Sequence, residues 1–400
     1  MKKVVCMLLA LVMMSSVALA AEIEINGGEK RNITINKAEP NEMTPGVSPT
    51  TGRNLNELND EYYQDGFAGY ALTGRYMPIL VQIDNADGGI GYDDGKETYN
   101  RAPWGVEYTD VIYEAALYKA GNTRLTFLFS DIIPNEVGPL RSARWFHAYL
   151  REEWDCAFIY YGQQAYGKTN VPALFDEFGA TNKGVLFSGI VGMNKPWKKY
   201  FGTYEKKKLQ SPHNRTVDAA AVVSLVPPDF EAAEHAWLFA DELPDESVGD
   251  AASVIYVNWG TKDLQMYNSI LEWNEDDENY VRYMVDNKGK EHIYQNMEVK
   301  KGSDVIVEAK PVTFNNIIVQ FVEDEWPRSD APKPTVVGSG NADYFMGGRH
   351  IAGVWNRESA SDRTVFYDDK GNEIELQPGR TLVVLMDYAQ ENRSVAYEAD

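Results

Sequence analysis

Two arginines in the stretch NEVGPLRSARWFH, residues 135–147, are the residues of this sequence that point most clearly to chemistry. Arg141 and Arg144 follow a Gly-Pro step, and proline is favoured at the first position of a helix. A helix that begins at Pro139 places both arginines near its start, where the helix macrodipole favours anions. Free backbone N–H groups beside two guanidinium groups would form a strong site for a carboxylate or a phosphate.

The helix predicted over PLRSARWFHAYLREEW, residues 139–154, has two different sides. Because each residue turns about 100° around a helix axis, Arg141, Arg144 and Arg151 share one side, and large apolar residues occupy the other. We therefore expect the apolar side to face the core and the arginines to face a cleft.

A second group of candidate residues lies in KKYFGTYEKKKLQSPHNRT, residues 198–216. His213 and Asn214 supply an imidazole and an amide directly after Pro212, and histidine changes charge near neutral pH. Two interpretations are open: a basic rim around an anionic ligand, with His213 as donor or acid/base, and an ordinary exposed lysine loop. The basic residues of this stretch are Lys198, Lys199, Lys206, Lys207, Lys208 and Arg215.

Three further candidates belong to runs that predict strands. Asp84 and Asn85 end the run MPILVQIDN, and Arg124 lies in TRLTFLF. In α/β sheets, ligands bind beyond the carboxyl ends of strands. We expect these residues to line the same cleft as the two arginines of the helix.

An intramolecular explanation of the arginines is equally open, because ion-pair networks within a fold resemble ligand sites. The available carboxylates are Glu136 or Asp131 for Arg141, and Glu114 or Asp84 for Arg144.

The elements around these residues predict an α/β core. Strands are predicted over residues 75–85, 123–129 and 156–162, and helices over 107–121 and 139–154. Strand, helix and strand at this spacing are typical of a βαβ-like unit.

The rest of the chain predicts further regions. Residues 21–60 are polar and predict a flexible leader with few core residues. An α/β domain is expected over 61–248, with a helix over 230–243, and a β-rich domain over 249–400. Residues 323–335 indicate a Pro-rich surface loop or linker.

The first 20 residues have the pattern of a secretory signal peptide. Lys2 and Lys3 precede an apolar run, and Ala18 and Ala20 fit the small-x-small cleavage pattern. The sequence therefore predicts an exported protein, periplasmic or extracellular, with an uncleaved anchor as the alternative.

Composition excludes several classes of partner. The chain has 60 acidic and 38 basic residues, and without Lys2 and Lys3 it has 36 basic residues and a net charge of −24. A surface this acidic repels nucleic acid and anionic lipid, so membrane contact is peripheral at most. Phosphate-binding glycine loops, CxxC pairs and HExxH are missing from the sequence, so no cofactor and no metal is predicted.

At its motifs the sequence resembles the YerB family of exported bacterial proteins of unknown function, also described as DUF3048. The resemblance implies an N-terminal α/β domain, a C-terminal β-rich domain and a role at the cell envelope, without an established reaction. The stretches that carry it include SPTTGRNL (48–55), MPILVQIDN (77–85), VGPLRSARWF (137–146), SPHN (211–214) and VGSGNADYFMGGRHIAGVW (337–355).

Two functions of different class follow. The first is a non-catalytic binding or accessory protein of the cell envelope. It would hold a cell-wall fragment, a phosphate or the carboxylates of an envelope protein in an Arg/His-lined cleft. The second is an envelope enzyme for a phosphorylated or glycan substrate, with arginines stabilising charge and His213 or Asp84 as acid or base. Under a third interpretation the arginines only clamp the fold.

Overall fold

The computed structural model describes residues 22–25, 27–85, 91–93, 96–98, 103–190, 195–203, 211–245, 247–260, 268–285, 291–299, 306–390 and 393–399. The predicted signal peptide lies outside these residues. The helices are α1 Leu55–Tyr62, α2 Tyr70–Thr73, α3 Trp145–Trp154, α4 Val171–Glu177 and α5 Ala219–Val223. Short 3₁₀ turns cover Val106–Tyr108, Gly167–Thr169, Ala180–Asn182 and Pro196–Tyr200.

Strands are far more numerous than helices in the described residues. In the first half of the chain they are β1 Glu22–Ile25, β2 Ile79–Ile83, β3 Gly91–Asp93, β4 Lys96–Thr98, β5 Val111–Ala116, β6 Thr123–Phe129, β7 Ala157–Tyr160, β8 Leu186–Ser188, β9 Phe201–Thr203, β10 Arg215–Val217 and β11 Leu238–Phe239. In the second half they are β12 Asp250–Ala251, β13 Val254–Asn258, β14 Ser269–Asn274, β15 Asn279–Val285, β16 Glu291–Ile293, β17 Gln295–Val299, β18 Ile306–Pro311, β19 Thr313–Phe314, β20 Asn316–Val322, β21 Asp324–Arg328, β22 Ala331–Pro334, β23 Gly338–Met346, β24 Arg349–Arg357, β25 Val365–Tyr367, β26 Glu375–Leu376, β27 Thr381–Asp387 and β28 Ser394–Glu398.

A mixed sheet of 11 strands forms the centre of the molecule, in the order β12-β24-β23-β20-β27-β5-β6-β2-β7-β8, with β25 beside β24. The pairs β20/β27, β27/β5, β2/β7 and β7/β8 are parallel. Because β27 lies between β20 and β5, strands from both predicted parts of the chain belong to one sheet.

A second sheet is antiparallel and contains seven strands, in the order β1-β28-β13-β14-β15-β16, with β19 beside β15. It joins the N-terminal strand to the C-terminal strand, since Ile23 lies opposite Tyr397.

The core lies on both faces of the large sheet. Successive side chains of a strand point to opposite faces, and Leu80 belongs to one hydrophobic cluster while Ile79 and Val81 belong to the other. The cluster of Leu80 includes Phe146 of α3, and the opposite cluster includes Ile255 of the smaller sheet. The predicted fold class is confirmed, with a mixed sheet and helices in the first part and mostly strands in the second.

The prediction of a helix over residues 107–121 is wrong, because VIYEAA forms strand β5. Every residue of this strand is buried, and β5 pairs with β27 on one side and β6 on the other. A short apolar run fits both a helix and a buried strand, and tertiary pairing determines the outcome.

The arginine helix begins later than predicted. Helix α3 starts at Trp145, with Arg144 as its N-cap, and residues 139–143 are not helical. The prediction that the N–H groups of Leu140 and Arg141 are free is also wrong. Leu140 N donates to Arg215 O at 2.8 Å, and Arg141 N donates to Gln82 O at 2.9 Å.

The prediction of a flexible leader with few core residues is wrong for its described part. Besides β1, the guanidinium of Arg31 binds both carboxylate oxygens of Asp343 at 2.9 Å. Thr50 is fully buried, and α1 occupies the end of this region.

Two further predictions for loops and helices are wrong. No helix forms over residues 230–243, because Trp237 packs against Trp154 at 5.9 Å and β11 pairs with β26. Residues 323–335 form the hairpin of β21 and β22 and not a loop, with Lys333 N donating to Asp324 Oδ1 at 2.6 Å.

Candidate functional site

An extended segment, residues 137–143, passes across the ends of several strands and carries Arg141. It makes isolated bridges with Val217, Trp104, Ile83 and Gln163. These backbone contacts fix the direction of the segment, so the side chain of Arg141 is positioned by hydrogen-bonded backbone and not by a helix turn.

Asp84, Arg141 and His213 meet at the end of β2. Arg141 Nε lies 2.8 Å from Asp84 Oδ2, although the N–H direction does not give a hydrogen bond, so this contact is electrostatic. His213 Nδ1 lies 2.6 Å from the same oxygen and 3.2 Å from Arg141 Nη2. With Nδ1–H donating to the carboxylate, Nε2 is left as the acceptor of the imidazole, whose side chain is 25% exposed.

Arg124 and Arg144 converge on one backbone carbonyl. Arg124 Nη1 donates to Ser142 O at 2.7 Å, and Arg144 Nη1 lies 3.4 Å from the same oxygen. The charge of Arg141 also acts on both Arg124 and Arg144, so the three guanidinium groups lie close enough to influence one another. We call Arg124, Arg141 and Arg144 the arginine cluster.

The arginine cluster contains more positive than negative charge. Among the described residues, Asp84 is its one carboxylate partner, and it pairs with Arg141. Arg124 is 5% exposed, and its Nε makes no hydrogen bond in the described part of the chain. Burial and then the charge of Arg144 lower the pKa of Arg124 well below its usual range.

The other charged groups respond to the same environment. Burial is the largest cause that lowers the pKa of Arg144. Burial alone would raise the pKa of Asp84, but the hydrogen bond from His213 and the charge of Arg141 outweigh it, and the pKa is lowered. Asp84 is therefore ionised at neutral pH.

The structure gathers five of the seven predicted site residues: Asp84, Arg124, Arg141, Arg144 and His213.

Asn85 binds neighbouring polar side chains, since its Nδ2 donates to Thr123 Oγ1 at 2.7 Å and to Glu114 Oε1 at 3.2 Å. Asn214 follows His213 and has a buried side chain.

The predicted basic rim is described only in part. Lys199 lies over the ring of Tyr200 at 4.8 Å, and Arg215 lies over Tyr161 at 5.0 Å. Lys206, Lys207 and Lys208 lie outside the described residues.

The expected ion-pair partners of the arginines differ from those observed. Arg141 pairs with Asp84, which the sequence analysis assigned to Arg144. Glu114 pairs instead with Arg282 at 2.6 Å, and Asp131 accepts a hydrogen bond from Thr51 at 2.7 Å.

Sequence reasoning missed His147, which is fully buried beside the cluster. Its Nδ1 accepts a hydrogen bond from Arg144 N at 2.8 Å, and the spacing of three residues at a helix start is the signal that would have indicated it. Burial, followed by the charges of Arg124 and Arg144, lowers the pKa of His147 well below its usual range.

The described residues contain no group of three or more His, Cys, Asp or Glu side chains that would hold a metal ion. None of the helices within the described ranges is long and apolar enough to cross a membrane.

The fold and the site together define a strand-rich α/β protein of two parts with a partly buried cluster of arginines. The chain belongs to the DUF3048 family of proteins of unknown function. The model of its N-terminal domain matches residues 75–226, and the model of its C-terminal domain matches residues 263–383.

The crystal structure of the YerB protein from Bacillus subtilis is similar to this chain, with a TM-score of 0.59 and 18% sequence identity. The similarity covers 87% of this chain and 99% of that one. At this level of identity it establishes a shared fold. A comparison with curated proteins gave no match.

Proposed function

We propose that this protein is an extracytoplasmic binding protein whose arginine cluster holds the anionic group of a cell-envelope ligand, a phosphate or a carboxylate. The observation that carries the proposal is Arg124, a guanidinium buried to 95% that has no carboxylate partner among the described residues. A buried charge is costly unless it is paired. An anion bound between Arg124 and Arg144 would supply the missing charge.

Geometry favours this position for the ligand. Arg124 and Arg144 share the carbonyl of Ser142, so both guanidinium planes lie within reach of one small anion. Arginine suits carboxylate and phosphate because its N–H groups form a fixed fork. Asp84 holds Arg141 and His213 at the side of the same cluster.

The location at the cell envelope is part of the proposal and rests on the signal-peptide pattern of residues 1–20. Location can be tested by cell fractionation, independently of ligand binding.

The binding proposal can be tested by titrating the full chain with inorganic phosphate and with acetate in a calorimeter. Phosphate binding should also raise the melting temperature, since a ligand that binds only the folded state stabilises it. Arg141→Gln plus Arg144→Gln should weaken binding about ten- to a hundredfold, because hydrogen bonds to charged groups contribute about 1.5–3 kcal/mol.

Arg75→Gln is the matched control. Arg75 is exposed and donates to the carbonyls of Pro227 and Phe230, so its loss should leave anion affinity unchanged. The proposal fails if the wild-type chain binds neither anion, or if the double variant folds and binds as well as wild type. A double variant that unfolds, with no stabilisation of wild type by either anion, would favour a purely structural role.

An enzyme is the second candidate, and the contact of His213 with Asp84 favours it. A histidine held at Nδ1 by a carboxylate leaves Nε2 available for proton transfer. The same protein samples, incubated with a phosphate monoester such as p-nitrophenyl phosphate, test this. Phosphate release that disappears in His213→Ala would favour the enzyme, and no release by wild type would favour the binding protein.

A further inference from the structure

A polar pocket lies at the other end of strands β5 and β6 from the arginine cluster. Asp110 immediately precedes β5 and Asp131 follows β6, whereas Arg124 lies at the beginning of β6. A strand rises about 3.3 Å per residue, so the two places are roughly 20 Å apart. The pocket has a volume of about 270 Å³, and its lining includes Thr51, Arg53, Tyr62, Tyr108, Asp110 and Arg380.

The floor of the pocket is formed by Asp110, which is 2% exposed. Its Oδ2 accepts hydrogen bonds from Ser130 N and Ser130 Oγ at 2.6 Å, from Thr50 Oγ1 at 3.0 Å and from Asp131 N at 3.2 Å. Its Oδ1 accepts no hydrogen bond from the described residues, and Asp110 lines the pocket. One carboxyl oxygen is thus held rigidly while the other faces the cavity.

Asp110 and Asp131 form a pair of neighbouring acids. Ser130 Oγ lies 2.6 Å from Asp110 Oδ2 and 3.2 Å from Asp131 Oδ1. Burial, followed by the charge of Asp131, raises the pKa of Asp110 well above its usual range. With Oδ2 occupied by four donors, a proton on Asp110 belongs on Oδ1, where it can be donated to a ligand.

The two arginines of this pocket already donate hydrogen bonds within the protein. Arg380 donates to the backbone carbonyls of Thr109, Thr313 and Glu107. Arg53 Nη2 donates to Glu61 Oε2 at 2.6 Å. Both guanidinium groups therefore already bind other parts of the protein, and their charges oppose a cationic ligand.

The wall of the pocket contains two aromatic rings. Tyr62 and Tyr108 meet edge to face, with 5.6 Å between ring centroids and 80° between ring planes. Ligand sites combine apolar and aromatic surface with a few fixed polar groups. A carboxyl oxygen at the floor and tyrosine rings on the wall suit a small, uncharged ligand with hydroxyl groups.

We propose that this pocket binds one ring of a carbohydrate, whose hydroxyl groups exchange hydrogen bonds with Asp110 Oδ1 and whose apolar face packs on Tyr62. Hydroxyl groups both donate and accept, so they match a carboxyl group in either protonation state. The volume of the cavity limits the bound portion to about one ring. This site is separate from the arginine cluster and does not depend on the anion proposal.

The test is saturation-transfer NMR on the full chain with N-acetylglucosamine and glucose, and with tetramethylammonium as a charged probe. We expect transfer to at least one sugar. Tyr62→Ala should weaken sugar binding by roughly tenfold, because a stacked aromatic ring contributes about 0.5–1.5 kcal/mol beyond its buried area.

Tyr63→Ala is the matched control, since Tyr63 is the next residue and is 65% exposed. It should leave sugar binding unchanged, and so should Arg141→Gln, which alters only the arginine cluster. The proposal is overturned if neither sugar receives transfer, if tetramethylammonium binds in place of the sugars, or if Tyr63→Ala weakens binding as much as Tyr62→Ala. If Tyr62→Ala does not fold, the result for the wild-type chain with the two sugars decides whether the proposal stands.

Discussion

At the scale of single residues, the arginine cluster differs from the other buried arginines of the chain. Arg151, Arg282 and Arg357 are fully buried, and each forms an ion pair with a carboxylate. Arg124 is almost as buried and has no such partner among the described residues. The same fold therefore pairs these three arginines with carboxylates, whereas Arg124 and Arg144 of the arginine cluster have no carboxylate partner among the described residues.

His147 links this cluster to the pH dependence of stability. Because its pKa is lowered in the folded state, the unfolded chain binds a proton below a pH of about 6.5 that the folded chain does not bind. Above that pH, His147 makes its full contribution to the free energy of unfolding. As the pH falls toward the pKa of His147 in the folded state, this contribution is lost by up to about 1.4 kcal/mol per pH unit.

His147→Asn should remove this loss. The Asn Oδ1 can take the place of the Nδ1 that accepts from Arg144 N, so the helix start is retained. The measurement is urea unfolding of both proteins between pH 7.5 and roughly pH 5, and their stability difference should shift in favour of the variant as the pH falls. Parallel curves over this range would show that His147 does not carry the effect.

At the scale of elements, the segment of residues 137–143 depends on a close approach at Gly138. A Cβ at this position would lie 2.4 Å from Trp104 Cζ2 and 2.7 Å from Arg215 O. Trp104 is itself fixed by a hydrogen bond that its Nε1 donates to Thr216 Oγ1 at 3.1 Å. The segment that carries Arg141 is therefore packed directly against its neighbours, with no room for a side chain.

Gly138→Ala should destabilise the fold by about 1–3 kcal/mol, the usual cost of overpacking, and should lower phosphate affinity by displacing Arg141. Gly202→Ala is the control, because its Cβ would meet only Thr216 Cγ2 at 3.3 Å. Unfolding free energies and phosphate titrations of both variants give the comparison. Equal effects of the two substitutions would contradict this account of the segment.

The elements also show which features the sequence could predict. TRLTFLF was predicted as a strand because it is a short apolar run with no helical period, and it forms β6. VIYEAA was assigned to a helix because its apolar residues have helical spacing. The same short run also fits a buried strand, and its pairing with β27 makes it strand β5.

The site was predictable where strand ends or a local motif marked its residues. Asp84 ends a strand, and Arg141 and His213 lie in distinctive motifs. The pocket around Asp110 was missed because Thr50 and Asp131 come from distant parts of the chain, and isolated Ser, Thr and Asp residues have no periodic signal.

At the scale of the whole molecule, a buried ion pair joins the two sheets. Glu114 lies in β5 of the large sheet, and Arg282 lies in β15 of the smaller one, with 2.6 Å between Glu114 Oε2 and Arg282 Nη2. Both side chains are at most 1% exposed. Thr123 Oγ1 donates to the other carboxylate oxygen at 2.7 Å, and Ser269 Oγ accepts from Arg282 Nη2 at 2.8 Å.

Because these polar groups are buried in the apolar layer between the two sheets, which includes Ile112 of β5 and Met284 of β15, the position of one sheet against the other is set partly by this contact. A slip of either sheet would leave a charge without a partner in the core, which is costly. The pair therefore specifies how the first part of the chain packs against the second.

Glu114→Gln should lower the free energy of unfolding by about 3–5 kcal/mol, since removing one partner leaves Arg282 charged and buried. Glu61→Gln is the matched control: it breaks the pair with Arg53, in which Glu61 is 49% exposed, and should cost about 1 kcal/mol or less. Urea unfolding of both variants measures the difference.

Arg282→Met combined with Glu114→Gln should lower the free energy of unfolding by less than the sum of the two single changes, because the unpaired charge is then gone. Additive costs would mean that the two residues stabilise their sheets separately and do not fix the packing between them.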